Sequence, residues 1–397
     1  MVRLNLALAL GVALFCGCWR PGIMARSKAL FEADFAANPT QGGWTVQPAE
    51  GAPRPAWSER GGRHCVEARN GWWQSPAIPV TPFAWYELRF ASQADSVGYW
   101  AAVFFDAEGR QLDADHYSGM DPSEGWTASR VCFRAKARAA AVRLRFHSMD
   151  ATTLRVADVA LRETSRRAVR AWADETYAAL PPVQFAPPAE HGKLIPGTMA
   201  RLRSGGRFRI VMLGDSIIND TGNSPWGILL ERFCPKARIE VVTSVRGGTG
   251  CQFYKDENRI QPYVLDYQPD FVIIGGISHG CDAEAVRSVV RQIRAACDVE
   301  LLVMTGAVAP RAMQNENLAK DAAKRGLPKA PTIEEYQRDL AKMAREERVE
   351  FFDFTEVWEH YAETCGKPRP WFMRDPVHAN ERGRQILARI LATYFKP

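Results

Sequence analysis

The chain has 397 residues, with 51 Lys and Arg against 45 Asp and Glu and a formal charge of +6. Hydrophobic residues make up 46% and charged residues 24%, ordinary globular usage that excludes wholesale disorder. The length predicts two or three domains, and a mild charge surplus without a Lys/Arg-rich run argues against a nucleic-acid partner.

Residues 1–24 are set apart as a signal peptide or lipoprotein leader. Arg3 precedes an apolar run from Leu4 to Phe15, too short for a bilayer and right for the core of a secretory signal. Phe15-Cys16-Gly17-Cys18 loosely resembles a bacterial lipobox, which places a lipid on Cys18. This predicts a secreted, periplasmic or lipid-anchored protein at the cell surface, whereas a start at Met24 predicts a cytoplasmic one. No later segment approaches 18 consecutive apolar residues, so no transmembrane span is expected.

Residues 28–164 read as an all-β domain, a sandwich or jelly roll. Strands are predicted at Trp85–Phe90, Tyr99–Phe105, Ala128–Arg134, Ala141–His147 and Thr153–Leu161, with polar turns between them. Seven of the twelve tryptophans fall here: Trp44, Trp57, Trp72, Trp73, Trp85, Trp100 and Trp126. Most are expected in the core, because aromatics dominate cores. Trp72 and Trp73 are adjacent, so on a strand one of them faces outward.

Residues 165–200 hold a helix near Ser165–Leu180 and then a linker marked by Pro181-Pro182, Pro187-Pro188 and Pro196-Gly197. The linker either separates the domains or lies flat across an interface.

From 201 to 397 the pattern alternates. Strands are predicted at Phe208–Leu213, Ile239–Ser244, Phe271–Gly275, Leu301–Thr305 and Val349–Phe354. Helices are predicted at Pro225–Phe233, Ala283–Ala296, Ile333–Arg345 and Glu381–Tyr394. Short apolar strands alternating with helices imply an α/β domain with a parallel sheet covered on both faces.

Reactive groups in such a sheet gather at the carboxyl ends of strands. Gly214-Asp215-Ser216 follows the first strand, where a serine exposes its hydroxyl beside helix-start N–H groups. Asp215 and Ser216 also suit a plain helix cap. Asp375-Pro376-Val377-His378 precedes the last helix. An imidazole can take the serine proton, and a carboxylate on its other nitrogen fixes the tautomer. Arg246-Gly247-Gly248-Thr249-Gly250 and Gly276-Ile277-Ser278-His279 follow the second and third strands. Glycines there let backbone N–H groups approach a reacting atom, as an oxyanion site requires. The GxGxxG and GxxxxGK[ST] patterns are absent, so a nucleotide site is weakly supported.

Together these residues resemble the SGNH (GDSL-like) hydrolase superfamily, over roughly half the chain from Arg207 to Tyr394. The resemblance implies a flavodoxin-like three-layer sandwich and ester hydrolysis with no metal or cofactor. By position, Ser216 is the expected nucleophile, His378 the base and Asp375 its orienting partner. The Ser216 and Gly248 N–H groups are expected to face the oxyanion.

One block departs. The family usually carries Gly-x-Asn-Asp after the third strand, with Asn as the third oxyanion donor, and here Ser278 takes that place. Ser278, Asn219 or Asn223 is expected to fill the role. Asn219, Asn223 and His279 are candidate substrate contacts. The β half loosely resembles jelly-roll carbohydrate-binding modules.

The expected function is a serine esterase acting on acyl groups, chiefly O-acetyl, of a carbohydrate or other small ester. The alternatives are a lipid-directed esterase or lysophospholipase, and a non-catalytic glycan-binding protein. Seven cysteines follow the leader, an odd number without CxxC spacing, so neither full pairing nor zinc is indicated. Cys251 and Cys281, beyond two neighbouring loops, are read as a disulfide or as two buried thiols.

Overall fold

The computed structural model describes residues 29–51 and 54–397. The leader read over 1–24 lies outside them. Among the described residues, ten antiparallel strands between Phe31 and Thr164 form one connected network, folded as a sandwich. Its organiser is the 24-residue strand Ala141–Thr164. The first part of that strand pairs with Gly98–Phe105 and the last part with Trp85–Ala94. Arg63–Gln74 pairs across the middle, where the register shifts between Ser148 and Thr153. The sequence predicts two strands here, Ala141–His147 and Thr153–Leu161. The polar stretch between them is a bulge, which bends a strand without ending it.

Alternation along these strands sends Phe90, Trp100, Phe104, Phe133 and Phe146 into one core. Trp44, Trp73 and Trp85 are also buried, and Trp57 is exposed. Trp73 points inward while its neighbour Trp72 lies on the other face, 4.5 Å beneath the Arg145 guanidinium.

The helix after the sandwich runs Arg166–Ala178, and Ser165 caps it by accepting the Ala168 N–H at 3.2 Å. The proline-rich segment then lies flat on the α/β half. Tyr361 Oη donates to Pro181 O at 3.0 Å, and Glu350 accepts the N–H groups of Gly192 and Leu194 at 2.6 and 3.1 Å. Pro196, expected in the linker, instead opens the helix Pro196–Ser204. A proline costs nothing at a first helical position, where its missing N–H has no partner anyway.

Five parallel strands follow: Gly206–Gly214, Ala237–Val245, Phe271–Gly276, Glu300–Thr305 and Glu350–Phe352. They lie in the order second, first, third, fourth, fifth, a doubly wound arrangement. The helices Ala283–Ala296 and Glu381–Tyr394 stand where the apolar periodicity puts them. Two helices carry weaker signals. Arg311–Lys324 buries only Gln314, Leu318 and Ala322, so its apolar stripe is thin. Phe354–Thr364 begins inside the predicted strand Val349–Phe354, because Asp353 breaks the strand and caps the helix through the Glu356 N–H at 3.2 Å. No helix among the described residues is long and apolar enough to cross a membrane.

The two halves share a core. Trp85, Ala114 and Cys132 of the sandwich belong to the same apolar cluster as Trp172, Trp226 and Phe208. Arg134 crosses the boundary to donate to Gly222 O at 3.1 Å. Removing residues 31–164 therefore strips cover from apolar surface. The truncated protein is expected to aggregate or unfold, measured by size-exclusion chromatography and near-ultraviolet circular dichroism. A monomeric, cooperatively folded fragment would contradict this.

Candidate active site

In a doubly wound sheet the crevice opens where the strand order reverses, here between the first and third strands. Asp215 organises that point. Its Oδ1 accepts the N–H groups of Ile217 and Ile218 at 2.9 and 3.4 Å, capping the helix Ser216–Asn223. Its Oδ2 accepts those of Ile277 and Ser278 at 2.7 and 2.8 Å, which fixes the loop after the third strand. Gly276 must be glycine for this: its φ is +119°, and a Cβ there would stand 2.5 Å from the Asp215 carboxylate.

Ser216 is thus the first residue of a helix at the end of a strand. Its Oγ lies 2.8 Å from His378 Nε2. His378 Nδ1 lies 2.9 Å from each carboxylate oxygen of Asp375. The Asp-Pro-Val-His segment folds as a tight turn, with Asp375 Oδ1 also accepting the Val377 and His378 N–H groups at 2.9 Å. Burial pushes the Asp375 carboxyl up, but the bond and charge of His378, the Val377 N–H and Arg374 outweigh it. The carboxyl is held far below the usual range.

That turn rests on a buried ion cluster. Arg374 Nη1 donates to both oxygens of Asp220 at 2.8 Å and to Ala379 O at 2.6 Å. Arg384 Nη2 donates to Asp220 Oδ1 at 2.8 Å, and the Ala379 N–H reaches Asp220 Oδ2 at 3.0 Å. Asp220 is 1% exposed and Arg384 fully buried. Burial alone would raise the Asp220 carboxyl; Arg374 and Arg384 bring it below its ordinary value.

The sandwich closes the cluster from the other side. Arg384 also donates to Tyr117 O, and Tyr99 Oη donates to Arg374 O at 3.3 Å. Gly119 lets the sandwich come close, since a Cβ there would stand 2.9 Å from Arg374 Cβ. None of these supporting residues is apparent from sequence motifs. The only local signal is that Asp220 lies one helical turn after Ser216, and Arg374 directly before Asp375.

The expected oxyanion groups are brought together in part. Ser216, Gly248 and Ser278 line one open cleft of about 620 Å³. The Ser216 and Gly248 N–H groups have no hydrogen-bond partner among the described residues. The Ser278 N–H is taken by Asp215, which leaves only the hydroxyl.

Three expected contacts lie elsewhere. Asn219 and Asn223 are on the helix face turned to the sandwich, where both amides donate to Asp115 O at 3.0 and 2.7 Å. Their carbonyls accept from Lys136, which burial pushes down to about 7. Although three and seven residues along the helix from Ser216, both side chains are taken up by Asp115 and Lys136, and neither lines the cleft at the serine. His279 is buried and its Nδ1 accepts the Cys251 N–H at 3.2 Å, so it ties two loops together and is not among the residues lining the cleft. Cys251 and Cys281 are both free thiols.

No family model matches the chain, and no curated protein matches it. Among solved structures, it is similar to a two-domain esterase active on acetylated mannans, at 17% identity and a TM-score of 0.38, over 51% of this chain and 52% of that one. The chain thus spans about half the length of that esterase. It is also similar to a catalytic mutant of an acetylxylan esterase from Geobacillus stearothermophilus, at 19% identity and a TM-score of 0.36, over 49% and 96%. It is further similar to a xylan-binding domain from Paenibacillus barcinonensis, at 13% identity and a TM-score of 0.28, over 34% of this chain and 95% of that one.

Two stability measurements check the electrostatics. Asp220→Asn removes the carboxylate shared by two buried guanidinium groups, leaving Arg384 only Glu381 and Arg374 only the more distant Asp375, and is expected to cost about 3–5 kcal/mol in urea unfolding. A loss below about 1 kcal/mol, the worth of an exposed pair, would contradict the cluster's role. For Asp375 the folded-state value is depressed, so its contribution is complete above about pH 4 and is lost as the pH falls from there. The stability gap between wild type and Asp375→Asn should therefore narrow between about pH 4 and pH 2. A constant gap over that interval would show that the carboxylate is not favourably paired.

Proposed function

We propose that the protein is a serine esterase of the SGNH type that removes acyl groups, chiefly acetyl, from a carbohydrate. The observation that carries this reading is the chain of hydrogen bonds Ser216–His378–Asp375, at 2.8 and 2.9 Å, with Ser216 on an open cleft. Serine is a poor nucleophile until a base removes its proton, and His378 Nε2 is within reach to do so.

The reaction runs in two halves. Ser216 Oγ attacks the ester carbonyl carbon while its proton passes to His378 Nε2. Asp375 stabilises the imidazolium and holds its tautomer. Negative charge builds on the carbonyl oxygen, where the N–H groups of Ser216 and Gly248 and the Ser278 hydroxyl are the available donors. His378 returns the proton to the departing sugar hydroxyl, leaving an acyl-Ser216. Water, deprotonated by His378, then attacks the acyl carbon and releases the acid. A hydrogen-bonded nucleophile and base argue against a purely glycan-binding protein.

The cleft favours a short acyl group on a polar alcohol. Thr249, Gln252, Ser278 and Asn317 stand among its walls beside Phe253, Ile277 and Val377, a mixed lining that can hold both sugar hydroxyls and a small acyl group. An apolar cavity does exist, about 840 Å³ between Pro181–Phe185 and the helix Phe354–Thr364, but Ser216 does not line it. This supports the carbohydrate reading over the lipid one.

Ser216→Ala should remain folded and lose p-nitrophenyl acetate hydrolysis by roughly 10⁶-fold in kcat, and Asp375→Asn by about 10⁴-fold. Wild type should prefer the acetate to the octanoate. Ser216→Ala turning over the acetate at the wild-type rate would refute the mechanism, and a preference for octanoate would favour a lipid substrate.

A further inference from the structure

The cleft at Ser216 is strongly cationic, and its charges are unequally spent. Arg246, Lys320, Lys324 and Arg325 line it, against the single carboxylate of Asp321. Two of the four cations are committed. Lys324 pairs with Asp321 at 3.2 Å. Arg325 pairs with Asp282 at 3.2 Å and donates to the carbonyls of Gly280 and Cys281.

The other two are not. Among the described residues, neither Arg246 nor Lys320 has a carboxylate partner, and both are exposed. They come from separate elements, Arg246 from the glycine loop and Lys320 from the helix Arg311–Lys324. On that helix Asn317, Lys320, Asp321 and Lys324 stand three and four residues apart, so one stripe is turned to the cleft. Arg246 is held in place as well, its guanidinium lying 4.8 Å over the Phe253 ring, which also lines the cleft.

Cations gathered at the mouth of a reactive cleft raise the local concentration of anionic substrate and reject cationic ones. A neutral acetylated sugar would gain no charge attraction from them. We infer that the carbohydrate is a carboxylate-bearing one, an acylated polyuronate, with Arg246 and Lys320 binding a uronate carboxylate beside the ester presented to Ser216. The inference rests on the esterase reading and narrows it to a substrate class. Guanidinium and ammonium suit the two tasks differently: Arg246 can grip a carboxylate through two N–H groups, and Lys320 attracts it as a point charge.

Binding is separable from turnover. Full-length Ser216→Ala is titrated calorimetrically with hexagalacturonate and, in parallel, with xylohexaose, at about 20 mM and 300 mM salt, which span strong and weak screening. The expected result is binding of the galacturonate oligomer at least tenfold tighter than of the neutral one at low salt. That advantage should shrink at high salt and fall about tenfold again in Arg246→Gln and Lys320→Gln. The same variants should lower the ratio of kcat/KM on acetylated polygalacturonate to that on acetylated xylan. Equal affinity for the two oligomers at low salt, or an anion preference unchanged in both variants, would overturn the inference. The esterase reading stands or falls separately, on wild-type turnover of p-nitrophenyl acetate against Ser216→Ala.

Discussion

The buried carboxylate of Asp220 holds three pieces of the molecule in one arrangement. It sits on the helix that begins with Ser216, it receives Arg374 from the turn that carries Asp375 and His378, and it receives Arg384 from the last helix. A charge at this depth is tolerated only when its oxygens are fully bonded, and Asp220 accepts from two guanidinium groups and the Ala379 N–H. The geometry at Ser216 follows from this. The serine and the imidazole come from segments 162 residues apart, and no backbone hydrogen bond of the sheet joins them directly. What sets their separation is the cluster beneath, in which moving either segment would strand a charge.

Asp215 acts similarly on a smaller scale. One of its oxygens caps the helix of Ser216 and the other holds the loop of Ser278. The backbone around the serine is therefore pinned on both sides of the crevice. This has a chemical consequence, since donors fixed before reaction need no reorganisation as charge develops. It also explains why Ser278 can offer only its hydroxyl: the N–H that lies nearest in sequence is already used.

Much of this was legible in the sequence because it depends on local chemistry. Gly-Asp-Ser after an apolar strand, and Asp three residues before His at the start of a helix, are short-range patterns whose geometry follows from a turn and a cap. Ala283–Ala296 was equally legible from its apolar stripe. What depended on tertiary context was not. Asn219 and Asn223 lie three and seven residues after Ser216, on its side of the helix, but the packed sandwich brings Asp115 and Lys136 against them and uses up their amides. His279 has the residue type of a substrate contact, yet burial and the Cys251 N–H give it a structural task. The strand Ala141–Thr164 was split in two because a bulge and a turn have similar polar composition. Asp220, Arg374 and Arg384 look like surface charges in sequence, since only the packed sandwich buries them.

That last point bears on what the sandwich is for. A module that merely tethers an enzyme to its substrate needs a linker and an independent core. Here the proline-rich segment is bonded to the α/β half, and Trp85, Ala114 and Cys132 pack into that half's own core. Tyr99, Tyr117 and Gly119 press on Arg374 and Arg384 from within hydrogen-bond or van der Waals distance. The sandwich therefore supplies one wall of the pocket that buries Asp220. Without that wall the cluster would face water, its bonds would weaken with the rise in dielectric, and the turn bearing Asp375 and His378 would lose what fixes it against Ser216. The two halves are a single structural unit as far as the serine is concerned, and any surface of the sandwich that binds glycan would have to lie away from this interface.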